Sequence, residues 1–130
     1  MTVKNFVLVF GVVLLTGCMT GRGLVAPLPD NPDPTQAAKI TVKRDRSFLA
    51  SAQSMLLTID GHDYWKLVNG AEHSFLLTPG THFFGVKCVG GWRMWGNFHE
   101  IEREVDAGKQ YYFRIHPSGG DGCSIEAASS

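Results

Sequence analysis

The chain has 130 residues, and its 12 Lys and Arg residues balance its 12 Asp and Glu residues. No run of basic residues occurs, so the electrostatic surface of a nucleic-acid-binding protein is missing, and we expect no nucleic-acid partner. The length suits one compact domain preceded by short accessory segments.

The first 18 residues have three parts in a fixed order. Lys4 gives the start a positive charge, and residues 6–15 then read FVLVFGVVLL. Ten apolar residues are too few to cross a bilayer, which needs about 20 in a helix. Such a run is typical of a secretory signal peptide. It ends at Leu15-Thr16-Gly17-Cys18.

This tetrapeptide resembles the lipobox of bacterial lipoproteins. The resemblance implies that residues 1–17 are a signal peptide removed before Cys18, and that the Cys18 thiol carries lipid that anchors the chain to a membrane. Met19 stands where Asp would imply retention in the inner membrane, so the resemblance favours the outer membrane, facing the periplasm. The alternative is a buried N-terminal strand with an incidental cysteine.

Residues 18–37 follow as a predicted tether. Positions 19–37 contain four prolines and two glycines and show no strand or helix period. Such a stretch buries too little apolar surface to order itself. At about 3 Å per extended residue, it would hold a domain tens of ångströms from the membrane.

Residues 38–130 are predicted to form an all-β domain, a small antiparallel β-sandwich of seven to eight strands. The alternating runs lie at 39–44, 55–59, 63–68, 72–77, 81–89, 98–105, 110–116 and 123–127. Asp60-Gly61 and Asn69-Gly70 are typical of tight hairpin turns, and Pro79-Gly80 marks a third turn. We expect residues 98–105 and 110–116 to pair as an antiparallel hairpin.

Two cysteines remain once Cys18 is assigned to lipid. Cys88 shares a predicted strand face with Phe84 and Val86, and Cys123 follows a glycine-rich stretch. In an exported protein this pair predicts one disulfide. The alternative is two separate thiols, Cys88 buried and Cys123 exposed.

Three motifs together resemble domain of unknown function family 2846. They are TIDG at 58–61 followed by Asn69-Gly70, LTPGTH at 77–82, and DAGKQYYF at 106–113. Members of this family resemble the PEGA-type β-sandwich and are often bacterial lipoproteins. The family has no established activity, so the resemblance assigns no catalytic residue.

The residues of catalytic and metal sites do not occur in the required spacing. The five histidines form no metal-ligand motif, and no G-x-S-x-G sequence is present. We expect one histidine, His62, in a turn and the others on strands, where histidine often faces solvent: His73, His82, His99 and His116. Glu100, Glu102 and Glu104 alternate along one strand face, which predicts a solvated face. We therefore expect no metal, no cofactor and no enzymatic activity.

The most unusual segment lies at 90–97 and reads GGWRMWGN. Trp and Arg are over-represented at binding hot spots, so Trp92, Arg93 and Trp95 are a predicted binding surface. Tyr64 and Trp65 are included in this predicted binding surface, because strand alternation directs one of them outward. The alternative is that Trp92 or Trp95 packs over one end of the sandwich.

These observations predict a non-catalytic lipoprotein of the cell envelope that binds or scaffolds another envelope component. The second reading is a glycan- or peptidoglycan-binding module that uses the loop of Trp92 and Trp95. An enzyme is the third and weakest reading, because no nucleophile or metal constellation supports it.

Overall fold

The computed structural model describes residues 23–47, 53–89, 97–118 and 122–129. Cys18, Trp92, Arg93 and Trp95 lie outside these residues. The strands in chain order are β1 Gly23–Leu24, β2 Ala38–Arg44, β3 Ser54–Ile59, β4 His62–Leu67, β5 Glu72–Leu77, β6 Gly80–Val89, β7 Asn97–Val105, β8 Gln110–Pro117 and β9 Cys123–Ala128.

The strands form two facing sheets, which confirms the predicted all-β sandwich. One sheet has five strands in the order β1-β4-β3-β6-β7, and the other has four in the order β5-β2-β8-β9. Each of the eight predicted strands is present within a residue or two of its expected bounds. β1 is an addition that the sequence did not predict.

Alternation along the strands places the core between the two sheets. Side chains two residues apart share a strand face, so the inner face of each strand is apolar. Ile40 and Val42 of β2 are fully buried, as are Phe84 and Val86 of β6. The rest of the core comes mainly from Met55, Leu57, Ile59, Leu67, Leu77, Val105, Phe113, Ile115 and Ile125.

The expected hairpin of residues 98–105 and 110–116 is wrong. β7 pairs with β6, whereas β8 pairs with β2 and β9 in the other sheet. The links at Asn69-Gly70 and Pro79-Gly80 also cross between the sheets, since β5 pairs with β2. Facing sheets lie only about 10 Å apart, so a short polar link can make either a hairpin or a crossover. Asp60-Gly61 does close the hairpin of β3 and β4.

One strand pair departs from the antiparallel pattern that we predicted. β2 and β8 run parallel, with Val42 opposite Phe113, so the four-stranded sheet is mixed. A parallel pair needs a long connection, and here the chain from β2 to β8 passes through every strand from β3 to β7.

The predicted flexible tether is wrong for residues 23–37. Gly23 and Leu24 pair with Lys66 and Trp65 of β4, and the amide of Val25 donates to Tyr64 O at 2.8 Å. Farther along, Asp30 accepts hydrogen bonds from the chain at Thr78. Proline has no amide hydrogen to donate to a sheet, so the segment is held by the few contacts that its other residues make with β4 and Thr78.

Candidate functional site

An aromatic cluster joins β4 to β5 at one side of the sandwich. The Trp65 indole stacks on His73, with ring centroids 3.5 Å apart and an interplanar angle of 6°. The Tyr64 ring meets the edge of Phe75 at 4.9 Å. A hydrogen bond of 2.9 Å joins the Tyr64 hydroxyl to His73 Nε2. The four rings therefore link the two sheets where no backbone pairing does so.

A β-bulge explains why neighbouring residues Tyr64 and Trp65 both reach His73. The pairing of β3 with β4 passes from Leu57 opposite Trp65 to Thr58 opposite Asp63, leaving Tyr64 as the extra residue. A bulge bends its strand and redirects side chains, which breaks strict alternation. Tyr64 is 8% exposed and Trp65 is half-buried.

Burial sets the protonation of this cluster. It lowers the pKa of His73 and raises the pKa of Tyr64, because burial penalises the charged form of each. Both groups are therefore neutral near pH 7. The phenol can donate its proton to His73 Nε2, which leaves the imidazole hydrogen on Nδ1.

A groove lies beside the cluster, between the N-terminal segment and β5. Its volume is about 380 Å³, and we call it the side groove. Its lining is mostly apolar: Leu24, Pro27, Leu28, Asp30, Pro32, Tyr64, Phe75 and Leu76. Leu76 is 38% exposed and forms part of the open wall. The groove exists because residues 23–32 are held against the sandwich rather than free.

A polar network fixes the far part of the N-terminal segment. His82, 8% exposed, contacts Asp60 Oδ2 through Nδ1 at 2.6 Å and Thr78 O through Nε2 at 2.7 Å. Thr78 in turn donates from its amide and its hydroxyl to Asp30 Oδ2, at 2.8 and 2.9 Å.

The same network determines the charge of His82. Burial acts to lower the pKa of His82, but the hydrogen bonds to Asp60 and Thr78 and the charges of Asp60 and Asp30 together raise it. Both ring nitrogens face acceptors, so the imidazolium form, with two N–H donors, fits this site. We call this group of residues the His82 network.

A second aromatic surface lies on the outer face of the five-stranded sheet. Phe83 and Phe98 are 42% and 49% exposed. The Phe98 ring covers Gly85, where an added Cβ would lie 2.9 Å from the ring and would also overlap Thr58 Oγ1. An aromatic ring over a strand glycine shields bare backbone from water. Phe83 precedes the core-facing Phe84 in the sequence, so strand alternation directs it outward.

The predicted disulfide is present. Cys88 of β6 and Cys123 of β9 are bonded, with Cα atoms 6.0 Å apart, and both are buried. The bond joins the two sheets and fixes β9, as the sequence predicted. Beside it, the amide of Ile125 donates to His99 Nδ1 at 3.1 Å.

The other predicted site residues fall into two groups. Tyr64 and Trp65 lie in the aromatic cluster, with Tyr64 lining the side groove. Trp92, Arg93 and Trp95 are outside the described residues, but the strands that flank them meet where Cys88 pairs with Asn97. Whether the two groups form one surface, and whether they bind a partner, stay predictions.

The histidines have structural contacts rather than a shared ligand. Our expectation of mostly solvent-facing strand histidines is wrong for His82, which is buried, and His73 is half-buried. Among the described residues, no three His, Cys, Asp or Glu side chains lie close enough to hold a metal ion. In that same part of the chain, no helix has the length and apolarity needed to cross a membrane.

Comparisons with known proteins were made by family, by sequence and by structure. No protein-family model matches this chain, and no curated protein matches it. The fold is similar to a solved structure described as the NMR structure of the protein from Eubacterium rectale. That match covers 77% of this chain and 96% of the other, with 11% identity and a TM-score of 0.47. A likeness this low supports no functional argument, so the predicted family resemblances stay predictions.

Proposed function

We propose that this protein is a non-catalytic lipoprotein, anchored by lipid on Cys18 and facing the periplasm from the outer membrane. We further propose that its sandwich, of the family 2846 type, binds another envelope component. The leader of residues 1–17 and the lipobox-like sequence at 15–18 motivate the anchor.

The disulfide is the structural observation that best supports an exported protein. Cys88 and Cys123 are buried and bonded across the sheets, so the bridge is part of the core rather than an incidental surface contact. Disulfides persist in oxidising compartments and are rare in the bacterial cytosol. The bridge also uses two of the three cysteines, which leaves Cys18 available for lipid.

Labelling with radioactive palmitate tests the anchor. The wild-type chain should incorporate label, whereas Cys18→Ser should incorporate none and should retain residues 1–17. A Cys88→Ala and Cys123→Ala double variant is the matched control, because it keeps Cys18 and should still be labelled. Label entering the Cys18→Ser protein would contradict the proposal.

The side groove is the surface that best suits a protein partner. Its apolar lining and the exposed Leu76 can accept apolar side chains of an envelope protein, since burial of such surface drives most association. Crosslinking in intact cells tests this: Leu76→Glu should abolish the crosslinked species. The control is Phe83→Glu, which changes a similarly exposed apolar residue on the outer face of the five-stranded sheet. This variant should still give the crosslinked species.

The exposed pair Phe83 and Phe98 favours a second candidate, a glycan-binding module. Phe98 follows the segment of Trp92 and Trp95 in the sequence, the residues that we predicted to bind a glycan. Pull-down from crosslinked envelopes separates the candidates. If the wild type and Leu76→Glu pull down saccular polymer and Phe98→Ala does not, the glycan-binding candidate is favoured. If the wild type and Phe98→Ala pull down a protein and Leu76→Glu does not, the side groove is favoured.

A further inference from the structure

The position of β1 determines where a chain anchored at Cys18 reaches the domain. Gly23 pairs with Lys66, and the antiparallel register means that the chain before Gly23 approaches from the direction of Leu67 and Val68. That row of the sheet continues through Leu56, Lys87 and Phe98. The chain therefore enters β1 near the end of the sandwich that residues 66–70 form. We call this end the Val68 end.

The distance between Cys18 and this position is short. Only four residues, 19–22, lie between Cys18 and Gly23, and the five residue steps that join them span at most about 18 Å when fully extended. Residues from Gly23 onward are fixed by β1, by the Val25 amide and by the contact of Asp30 with Thr78. The chain that could separate the domain from the bilayer is therefore much shorter than the predicted tether.

The opposite end of the sandwich lies beyond this reach. β7 extends from the row of Phe98 to Val105, seven residues farther, which is about 23 Å at about 3.3 Å per residue. The link containing Ala107 follows Val105 at that end. Because 18 Å is less than 23 Å, the domain cannot stand upright on the bilayer with its Ala107 end down while β1 is paired with β4.

The Val68 end presents a fixed and chemically suitable surface. Buried Arg44 holds the backbone on both sides of Val68. Its Nη1 donates to Leu67 O at 2.7 Å, and its amide donates to Ala71 O at 2.9 Å. Val68 is 37% exposed at the tip. The Arg46 guanidinium lies over Gly70, with Nε 3.2 Å from where a Cβ would be.

The charges at this end also suit phospholipid headgroups. Arg46 is exposed and Lys66 is partly exposed, and basic side chains beside an exposed apolar residue are typical of surfaces that lie on anionic lipid. An exposed acidic residue, Glu72, begins β5 just after residues 66–70.

We propose that the Val68 end, together with Arg46, rests on the anionic headgroups of the membrane that carries the lipid anchor. This orientation rests on the proposed lipidation of Cys18. It turns the Ala107 link toward the periplasm, and with it Leu76 of the side groove, because Leu76 pairs with Lys39 and Lys39 pairs with Gln110.

Site-specific quenching in vesicles tests the orientation. The mature lipoprotein is reconstituted in phosphatidylethanolamine and phosphatidylglycerol vesicles whose headgroups carry a quencher. A fluorophore is placed at Val68→Cys, Leu76→Cys or Ala107→Cys, while Cys88 and Cys123 stay bonded and Cys18 stays acylated. We expect strong quenching at position 68 and little at positions 76 and 107, both of which lie toward the opposite end of the sandwich.

Quenching at position 107 or 76 that equals or exceeds quenching at position 68 would overturn the orientation while leaving the anchor intact. A protein that carries no acyl group and does not float with the vesicles would overturn the anchor and the orientation with it. A flexible insertion of about ten residues after Met19 should abolish the difference between positions 68 and 107.

The contribution of charge has a matched control. Arg46→Gln combined with Lys66→Gln should reduce quenching at position 68, because it removes the cations beside Val68. Lys39→Gln removes an exposed cation whose backbone amide bonds to Lys109 O, near the Ala107 link, and should leave the quenching unchanged. Equal effects of the two changes would contradict a headgroup contact at the Val68 end.

Discussion

The two long sides of the sandwich are closed by different chemistry. On one side, Cys88 and Cys123 join β6 to β9 covalently, and His99 accepts a hydrogen bond from Ile125. On the other side, β4 and β5 are joined by stacked rings and the bond of Tyr64 to His73, with the N-terminal segment beside them. The side groove lies on this second side.

This difference separates a permanent closure from an adjustable one. A disulfide does not respond to pH within the range in which the protein is folded, whereas the second side and its adjoining His82 network depend on the protonation of two histidines. The neutral form of His73 is favoured, because burial lowers its pKa. The charged form of His82 is favoured, because its hydrogen bonds and the nearby carboxylates raise its pKa more than burial lowers it. A surface that binds a partner is more readily accommodated on the side without a covalent bond.

Removal of the disulfide should give the largest effect. The bridge closes a sequence separation of 35 residues, for which the chain-entropy estimate is roughly 3–4 kcal/mol of unfolding free energy. Urea unfolding of the Cys88→Ala and Cys123→Ala variant measures this loss against the oxidised protein. A loss below about 1 kcal/mol would mean that packing of Ile125 and its neighbours suffices to hold β9. Thiol titration of the denatured, unreduced Cys18→Ser chain should find no free thiol.

Replacement of His82 should have the next largest effect. His82→Asn loses contacts to Asp60 and Thr78 at a buried site, which should cost about 2 kcal/mol of unfolding free energy at neutral pH. Because the folded pKa of His82 is raised above 6.5, its proton stabilises the fold fully below pH 6.5. This contribution is lost as the pH rises through the folded value.

Unfolding measured from pH 6.5 to mildly alkaline pH should therefore show declining stability in the wild type and a smaller decline in His82→Asn. His62→Gln, at the exposed first residue of β4, is the control and should follow the wild type. The same slope in His82→Asn and the wild type would contradict the assignment.

Replacement of His73 should have a smaller effect with the opposite dependence on pH. His73→Phe retains a ring to stack on Trp65 but removes the partner of the Tyr64 hydroxyl, which should cost about 1 kcal/mol near neutrality. The folded pKa of His73 is lowered, so its contribution is present above pH 6.5 and is lost as the pH falls. His73→Phe should therefore be less sensitive to acid than the wild type. Equal acid sensitivity in urea unfolding would refute this.

Replacement of Glu126 should have the smallest effect. Its carboxylate pairs with Arg114 at 2.8 Å, but both side chains are about half exposed. Exposed ion pairs contribute about 0–1 kcal/mol, so Glu126→Gln should lower the unfolding free energy by less than about 0.5 kcal/mol. A larger loss would mean that β9 is held by charge as well as by the disulfide.

Local sequence was informative where one physical rule decided the outcome. Alternation placed Phe84, Val86 and Cys88 on the core face, because strand geometry alone sets that period. It failed at Tyr64 and Trp65, because a bulge in β4 shifts the register and depends on the neighbouring strand. His82 was likewise misjudged, since its partners Asp60 and Asp30 come from distant parts of the chain.

The sequence by itself determined the strands from β2 to β9, the core faces of most of them and the pair of cysteines that bond. These follow from side-chain period, turn chemistry and the number of cysteines, all of which act locally or by composition. Only the tertiary structure decided that the 106–109 link crosses between sheets and that residues 23–37 are docked. Both outcomes depend on which backbone edges and apolar faces are available across the sandwich, and chain neighbours carry no information about those.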